Sequence, residues 1–333
     1  MPQELTRTPT LADVATHARV SQATVSRYLN NPHVVAKGTA GRIDSALAAT
    51  GYIPNAMAGG LATSKSRMVA VLIPHLVNSI FNVMIETMVD ELTASGLNAM
   101  LGLTGVTVER TTELIRAALG RRVDAIISTA PVTDEIEAML RRSQCLFIQI
   151  WELPERPVGM AIGFSHQETG RDVARFFRAR GYALPHLVTA EGARARQRRD
   201  GFIAEWVALG GDRPSESHVT IPSHYGQARR VFAEIRGLEC RPDVVWCGSD
   251  QLAQGIIVEA QSAGLAVPGD LAVMGFGNSS IASEMRPAIS SVDIDGARIA
   301  REAMTAIRRH SEMGEVERTI IDVGFRLLAR DSA

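Results

Sequence analysis

Hydrophobic residues near the N-terminus recur at the spacing of two short helices. The first set lies at i, i+3, i+4 and i+7 on one helical face and consists of Leu11, Val14, Ala15 and Ala18. Thr10 is a suitable N-cap for this helix, and Ser21 is one for a second helix in which Val25 and Leu29 share a face. The pattern therefore predicts two helices that pack across each other and are joined by a tight turn.

The predicted outward face of the second helix carries side chains that can read DNA. They are Gln22, Ala23, Ser26 and Arg27. An arginine can pair with O6 and N7 of guanine, and an alanine can contact a thymine methyl group. The solvent-exposed face of an ordinary helical hairpin carries similar residues, so this pattern alone leaves both interpretations open.

A third helix is predicted from about Lys37 to Thr50, and a segment of different character follows it. This segment contains Gly59 and Gly60, each of which weakens a helix by roughly 1 kcal/mol relative to alanine. We therefore expect residues 53–66 to form a hinge without a stable helix in the absence of DNA.

From Met68 onward, buried strand-like runs alternate with amphipathic helices. A first set contains the runs MVAVLI, NAMLGL, AIIST and CLFIQI, and a second set from about Ser165 contains HLVTA, DVVWCGS, LAVMGF and ISSVDI. Alternation of this kind is typical of doubly wound parallel sheets. The predicted fold is an N-terminal all-α helix-turn-helix domain and a hinge, followed by an α/β body of two doubly wound parallel-sheet lobes, similar to periplasmic binding proteins.

Composition and charge agree with this division. A chain of 333 residues is longer than a single hydrophobic core supports. Its overall net charge of −1 separates into +4 through Arg67 and −5 over the remainder, which suits a small module that is attracted to phosphate. The chain lacks a membrane-length apolar run and an apolar signal segment, so we expect a cytoplasmic protein. Cys145, Cys240 and Cys247 lack metal-ligand spacing and are expected to be free thiols.

Several phrases of the sequence resemble the LacI/GalR family of bacterial transcription regulators. They are TLADVATHARVSQATVSRYLNN, GYIPNAMAGGLAT, RRDGF, WCGSDQLAQGI, LAVMGFGN and FRLLARDSA, which together span most of the chain. The resemblance implies a homodimer that binds double-stranded, pseudo-palindromic operator DNA, with Leu61 wedged into a base step. The DNA-contacting residues that it implies are Thr10, Ser21, Gln22, Ala23, Thr24, Ser26, Arg27, Asn30, Asn55 and Leu61. Arg19 replaces the family's turn glycine, which puts the tight turn in doubt.

The resemblance also divides the chain into domains. The crossings between lobes are expected near Gly163, Ile289 and Asp322. The predicted domains are a helix-turn-helix domain over 1–52, a hinge over 53–66 and an effector-binding and dimerisation domain over 67–333, with one lobe over 67–163 and 290–321 and the other over 164–289 and 322–333.

A small-molecule effector is expected in the cleft between the lobes, at the carboxyl ends of the strands. The candidate contacts are His75, Ser79, Phe81, Gln149, Trp151, Arg198, Ser249, Asp250, Gly277 and Asn278. Ser165 and His166 lie at a lobe crossing, and a histidine such as His75, His166 or His224 either binds a ligand or serves as a surface or capping residue. Phe81 and Trp151 are candidates for stacking on a sugar or for the core.

Departures from the family pattern indicate which effector is bound. Arg198 matches the family arginine that holds the effector, whereas Ser249 replaces an asparagine, Gly277 replaces an aspartate and Gln149 replaces another aspartate of the lac repressor. Loss of acidic groups beside a retained arginine favours an anionic ligand. The phrases WEL, GFSH and MGFGN are similar to the gluconate-repressor branch, so gluconate or a related sugar acid is the expected effector. A neutral sugar, an activator of the same fold and a transport receptor remain alternatives.

Sequence motifs of enzymes are missing. GFGNSS lacks the third glycine of a dinucleotide fingerprint, and no GxSxG, HExxH, CxxC or P-loop motif occurs. We therefore expect a repressor rather than an enzyme, without a cofactor or a metal.

Overall fold

A computed structural model describes residues 7–54, 66–76, 80–314 and 318–333. The chain separates into two compact units, Met1–Arg67 and Met68–Ala333. This division lies within one residue of the predicted end of the hinge. The predicted contacts Asn55, Leu61 and Ser79, and the glycine pair of the hinge, lie outside the described residues.

The small unit is a bundle of short helices. Its helices are α1 (Leu11–Ala18), α2 (Gln22–Asn30) and α3 (Lys37–Thr50), with a 3-10 helix at Pro32–Val34 between the last two. Its core contains the buried residues Val14, Ala15, Ala18, Val25, Ile43 and Ala46. The Tyr28 hydroxyl donates a hydrogen bond of 2.6 Å to Asp44, which fixes α2 against α3.

Side chains cap the first turns of α1 and α2, and Arg19 lies in the tight turn between the two helices. The Asp13 carboxylate accepts hydrogen bonds from the backbone N–H and the hydroxyl of Thr10, at 2.7 and 2.6 Å. The Ser21 hydroxyl accepts one from the Thr24 N–H at 3.1 Å. Arg19 ends α1 in the left-handed conformation, with φ of 54°. The turn therefore forms with an arginine where glycine is usual.

The large unit consists of two six-stranded sheets, each flanked by helices. Its strands are β1 (Met68–Ile73), β2 (Asn98–Leu103), β3 (Ala125–Ser128), β4 (Leu146–Ile150), β5 (Met160–Gly163), β6 (Pro185–Ala190), β7 (Ser215–Val219), β8 (Val244–Cys247), β9 (Ala272–Phe276), β10 (Ser290–Asp293), β11 (Ile320–Asp322) and β12 (Arg326–Leu328). Its helices are α4 (Asn82–Ala94), α5 (Val108–Gly120), α6 (Asp134–Ser143), α7 (His166–Ala179), α8 (Ala193–Ala208), α9 (Tyr225–Arg236), α10 (Asp250–Ser262), α11 (Ser280–Glu284) and α12 (Gly296–Met313).

The strand order defines two lobes and the three crossings between them. The first sheet has the order β11-β5-β4-β3-β1-β2 and the second has the order β12-β10-β9-β8-β6-β7. All pairs are parallel except β10 with β12. We call the lobe of the first sheet the N lobe and that of the second the C lobe. The two doubly wound lobes confirm the predicted fold class.

The predicted crossing near Ile289 is wrong by one strand. β10 follows Ile289 and pairs in parallel with β9 of the C lobe, so the chain crosses to the N lobe only after Asp293. The two other crossings follow Gly163 and Asp322, where β5 and β11 end. In the described part of the chain, no helix is long and apolar enough to span a bilayer.

The left-handed turn at Arg19 generates a testable prediction. A residue with a Cβ atom in this conformation costs about 1 kcal/mol relative to glycine. Arg19→Gly should therefore slow amide exchange in α1 and α2 by about fivefold, as measured by hydrogen–deuterium exchange. Arg19→Ala is the matched control, because it removes the guanidinium and keeps the Cβ atom. Equal exchange rates in the two variants would contradict the explanation.

Candidate effector pocket and DNA-contacting helix

The outward face of α2 is accessible, as the spacing of its residues predicts. Gln22, Ala23 and Arg27 are exposed and Ser26 is half-buried, whereas Val25 lies in the core on the opposite side. Among the described residues, the Arg27 side chain has no hydrogen-bond or ion-pair partner, so its guanidinium is accessible from outside the bundle.

The other predicted DNA contacts take part in the ends of the two helices. Ser21 and Thr24 are joined by a hydroxyl–hydroxyl hydrogen bond of 2.8 Å at the start of α2. The Asn30 amide donates to the Ser26 carbonyl at 2.9 Å near its end. Thr10 caps α1 together with Asp13. These residues hold the ends of the helices in place and leave the outward face of α2 exposed.

A cavity of about 370 Å³ lies between the two lobes. Loops at the carboxyl ends of the central strands and the first turns of the helices form its wall. The side chains that give the wall its chemistry are His75, Ile80, Phe81, Thr104, Thr107, Thr111, Thr129, Trp151, Glu152, His166, Glu191, Arg194, Arg198, Ser223 and Ser249. Five predicted effector contacts therefore line one cavity, namely His75, Phe81, Trp151, Arg198 and Ser249.

Arg198 is held in the cavity wall by a short chain of hydrogen bonds. The guanidinium Nη1 of Arg198 lies 3.0 Å from Nδ1 of the buried His166, whose Nε2 lies 2.9 Å from the Trp151 carbonyl oxygen. Because that carbonyl can only accept, Nε2 carries the proton and Nδ1 accepts from Arg198. The guanidinium also lies over the Phe276 ring, 4.1 Å from its centroid.

The electrostatic environment keeps the His166 imidazole neutral, as this tautomer requires. Burial, together with the charges of Arg198 and Arg194, lowers the pKa of His166 to about 2, so the imidazole is neutral at physiological pH. Burial and the neighbouring Arg194 charge also lower the pKa of Arg198, to about 9. Its cationic form thus lacks compensation, and no carboxylate among the described residues lies within ion-pair distance of it.

Arg194 lies one helical turn before Arg198 on α8 and contacts the opposite lobe. Its guanidinium donates to the Thr129 carbonyl at the end of β3 and lies 3.4 Å from the Glu152 carboxylate beyond the end of β4. Burial lowers the pKa of Arg194, and the Glu152 charge opposes this effect. Unlike Arg198, Arg194 therefore has a carboxylate partner in the protein.

The rest of the wall combines hydroxyl groups with the edges of two aromatic rings. Thr104, Thr111 and Thr129 are buried, and they line the N-lobe side. Phe81 and Trp151 belong to the hydrophobic core and meet edge to face at 4.9 Å between ring centroids. They are thus core residues that also contribute to the wall of the cavity.

Four predicted effector contacts do not line this cavity. The Gln149 amide lies 3.5 Å from the Glu152 carboxylate. The Asn278 amide donates to Asp293, and its carbonyl accepts from Arg330. Both side chains thus bind protein groups.

Asp250 and Gly277, the other two, are also committed to the fold. The Asp250 carboxylate accepts from the hydroxyl groups of Ser279 and Ser291, at 2.9 and 2.6 Å. Gly277 has φ of 114°, and a Cβ atom there would approach Ile80 to 2.5 Å. An aspartate at position 277 would therefore be strained and would displace a residue of the cavity wall.

Three charged residues of the cavity, Glu152, Glu191 and Arg194, were not among the predicted effector contacts. Arg194 precedes Arg198 by four residues, and this spacing would place both side chains on one face if the helix were predicted to begin before Arg194. Glu152 follows Trp151 directly at a strand end, where effector contacts were expected. The unpredicted contact is the one between Arg194 and Glu152, since it joins two lobes that are distant in sequence.

Comparison with known proteins agrees with both parts of the structure. Residues 10–55 match the model of bacterial regulatory proteins of the lacI family, and residues 174–333 match the periplasmic binding protein-like domain. The HTH-type transcriptional regulator GntR of Escherichia coli is 29% identical over 325 residues, which cover 96% of this chain and 97% of that protein.

Solved structures give the same result. A LacI family transcriptional regulator from Silicibacter pomeroyi superposes with a TM-score of 0.90 at 26% identity, covering 97% of this chain and 99% of that one. The lac repressor dimer bound to operator and the anti-inducer ONPF shares the fold, with a TM-score of 0.86 at 20% identity and coverage of 98% and 99%. The chain thus combines a helix-turn-helix domain that matches the lacI family of bacterial regulatory proteins with a periplasmic binding protein-like domain. It is a DNA-binding transcriptional regulator.

The exposed Arg27 generates a prediction for DNA recognition. If its guanidinium reads a guanine, Arg27→Ala should cost roughly 1 to 3 kcal/mol of operator affinity and relax specificity at one base pair. Selection from randomised DNA followed by binding titrations measures both effects. Arg42→Ala is the control, because it removes an exposed charge from α3 of the same unit and should leave the base preference unchanged. Equal weakening by Arg27→Ala on every DNA sequence would instead identify a phosphate contact.

Proposed function

We propose that the protein is a homodimeric repressor of genes for carbohydrate or sugar-acid catabolism, and that a small anionic carbohydrate releases it from its operator. In this proposal, α2 of each protomer enters one major groove of a pseudo-palindromic site. The bound state of the lac repressor named above, a dimer on its operator, is the precedent for this arrangement. Gluconate or a close aldonate is the proposed effector.

The main support for an anionic effector is the guanidinium of Arg198, which is half-buried and has no carboxylate partner among the described residues. Partial removal of an arginine from water is unfavourable unless an anion neutralises it. A ligand carboxylate at Arg198 would supply that anion through charge-assisted hydrogen bonds. His166 is neutral and accepts from the same guanidinium, so it fixes the orientation of Arg198 without competing for the ligand's charge.

The first turn of α8 adds a second attraction for an anion. Gly192 and Ala193 line the cavity at the start of this 16-residue helix, so the positive end of the helix dipole faces the ligand. An uncharged sugar would gain little from this end. The helix terminus and Arg198 thus favour the same kind of ligand.

The remaining wall suits the hydroxyl groups of a sugar acid. Nδ1 of His75 is buried at the cavity and has no hydrogen-bond partner among the described residues. The hydroxyl groups of Ser223 and Ser249 lie 3.0 Å apart on the C-lobe side, and buried threonines face them from the N lobe. A polyhydroxylated chain would therefore find donors and acceptors on both lobes. A ligand held in this way would favour one relative position of the lobes and thereby change operator binding.

A thermal-shift screen of the purified protein tests this function. Gluconate and related aldonates should raise the melting temperature, because they bind only the folded state, whereas neutral sugars should not. The shift should disappear in Arg198→Ala and persist in Arg199→Ala, since Arg199 instead pairs with Asp200 at 2.7 Å. Stabilisation by neutral sugars alone would overturn the anionic effector and leave the regulator's DNA-binding role intact.

A further inference from the structure

The cavity contains two neighbouring guanidinium groups in different electrostatic situations. Arg194 and Arg198 lie four residues apart on one face of α8, and both line the cavity. The Arg194 charge adds to burial in lowering the pKa of Arg198, because like charges repel. Without a carboxylate in contact with either of them, these two arginines would attract a ligand with two anionic groups.

Glu152 changes the number of charges that the wall offers. Its carboxylate lies 3.4 Å from the Arg194 guanidinium and 3.5 Å from the Gln149 amide, so two protein groups hold it beside Arg194. Both partners of this ion pair are shielded, with side-chain exposures of 23% for Arg194 and 21% for Glu152. Within the described residues, Arg198 has no equivalent carboxylate.

The position of Glu152 is fixed by the backbone on which it lies. Gly163, at the end of β5, packs so closely against Glu152 that a Cβ atom there would lie 2.4 Å from the Glu152 backbone nitrogen. Trp151, the preceding residue, is buried and its carbonyl binds His166. The backbone at Glu152 is therefore held firmly, and the carboxylate itself is positioned by its contacts with Arg194 and Gln149.

We propose that Glu152 is a specificity-determining residue that neutralises Arg194 and limits the site to ligands with a single anionic group. The ligand's one carboxylate binds Arg198, and its uncharged end lies towards Arg194 and Glu152. A dianion of the same length is rejected, because its second carboxylate meets the Glu152 charge and finds Arg194 already paired. This inference rests on the proposed function, since it assigns the charge of the proposed effector.

Two acids with the same six-carbon chain, gluconate with one carboxylate and glucarate with two, test the inference. Isothermal titration of the full-length protein should show gluconate binding at least about tenfold tighter than glucarate. In Glu152→Gln, Arg194 loses its partner and becomes available, so the ratio of glucarate to gluconate affinity should rise by about tenfold.

Two further variants distinguish the effect of the Arg194–Glu152 ion pair from a general effect of removing a charge. Glu135→Gln removes the same charge from an exposed ion pair with Arg116 outside the cavity, and its affinity ratio should equal that of the wild type. The double variant with Glu152→Gln and Arg194→Gln removes both partners and should restore the preference for gluconate. A structural role of Glu152 alone would not produce this reciprocal effect.

The possible outcomes distinguish the role of Glu152 from the existence of the proposed anion site. Gluconate binding with a ratio that Glu152→Gln leaves unchanged, in a variant with wild-type circular dichroism, would overturn the role of Glu152 and retain the proposed anion site. Equal binding of both acids by the wild type would do the same. Binding of neither acid by any variant would overturn the proposed sugar-acid site, and the role of Glu152 with it.

Discussion

The interlobe cavity is organised around the cost of keeping two guanidinium groups close together and away from water. Arg194 and Arg198 lie on the same face of α8, and different contacts offset this cost for each of them. Arg194 reaches across to Glu152 and the Thr129 carbonyl on the other lobe. Arg198 stacks on Phe276 and donates to a histidine that remains neutral, so its charge is oriented but not cancelled. A ligand carboxylate would complete this arrangement.

The same constraint explains why positions 250 and 277 do not direct a carboxylate into the cavity. Asp250 lies at a strand end where an effector contact was expected, yet its carboxylate turns towards serine hydroxyl groups of the C lobe. Gly277 leaves room for Ile80, which an aspartate there would displace. A carboxylate at either place, facing the cavity, would compete with the ligand for the arginines. The proposed preference for an anion thus rests on the Arg198 guanidinium and on an Asp250 carboxylate that turns away from the cavity.

Local patterns predicted most of the elements but not their long-range relations. MVAVLI and the helix after it follow from hydrophobic periodicity, as does the face of α2 that carries Arg27. β7 was missed because SESHV is polar, and this strand lies at the edge of its sheet, where only β6 pairs with it. The lobe to which β10 belongs depends on its pairing with β9, which no local pattern records. Likewise, Arg198 was predicted from family resemblance, whereas the contact between Arg194 and Glu152 exists only after the lobes meet.

The most direct test of the account compares gluconate with gluconamide, which replaces the carboxylate by a neutral amide of nearly the same shape. Isothermal titration measures both dissociation constants on the wild-type protein. Gluconamide cannot neutralise the Arg198 charge, so gluconate should bind at least about tenfold tighter than gluconamide. Equal affinity for the two compounds would show that binding does not require a negative charge on the ligand. It would contradict the proposed pairing of Arg198 with a ligand carboxylate.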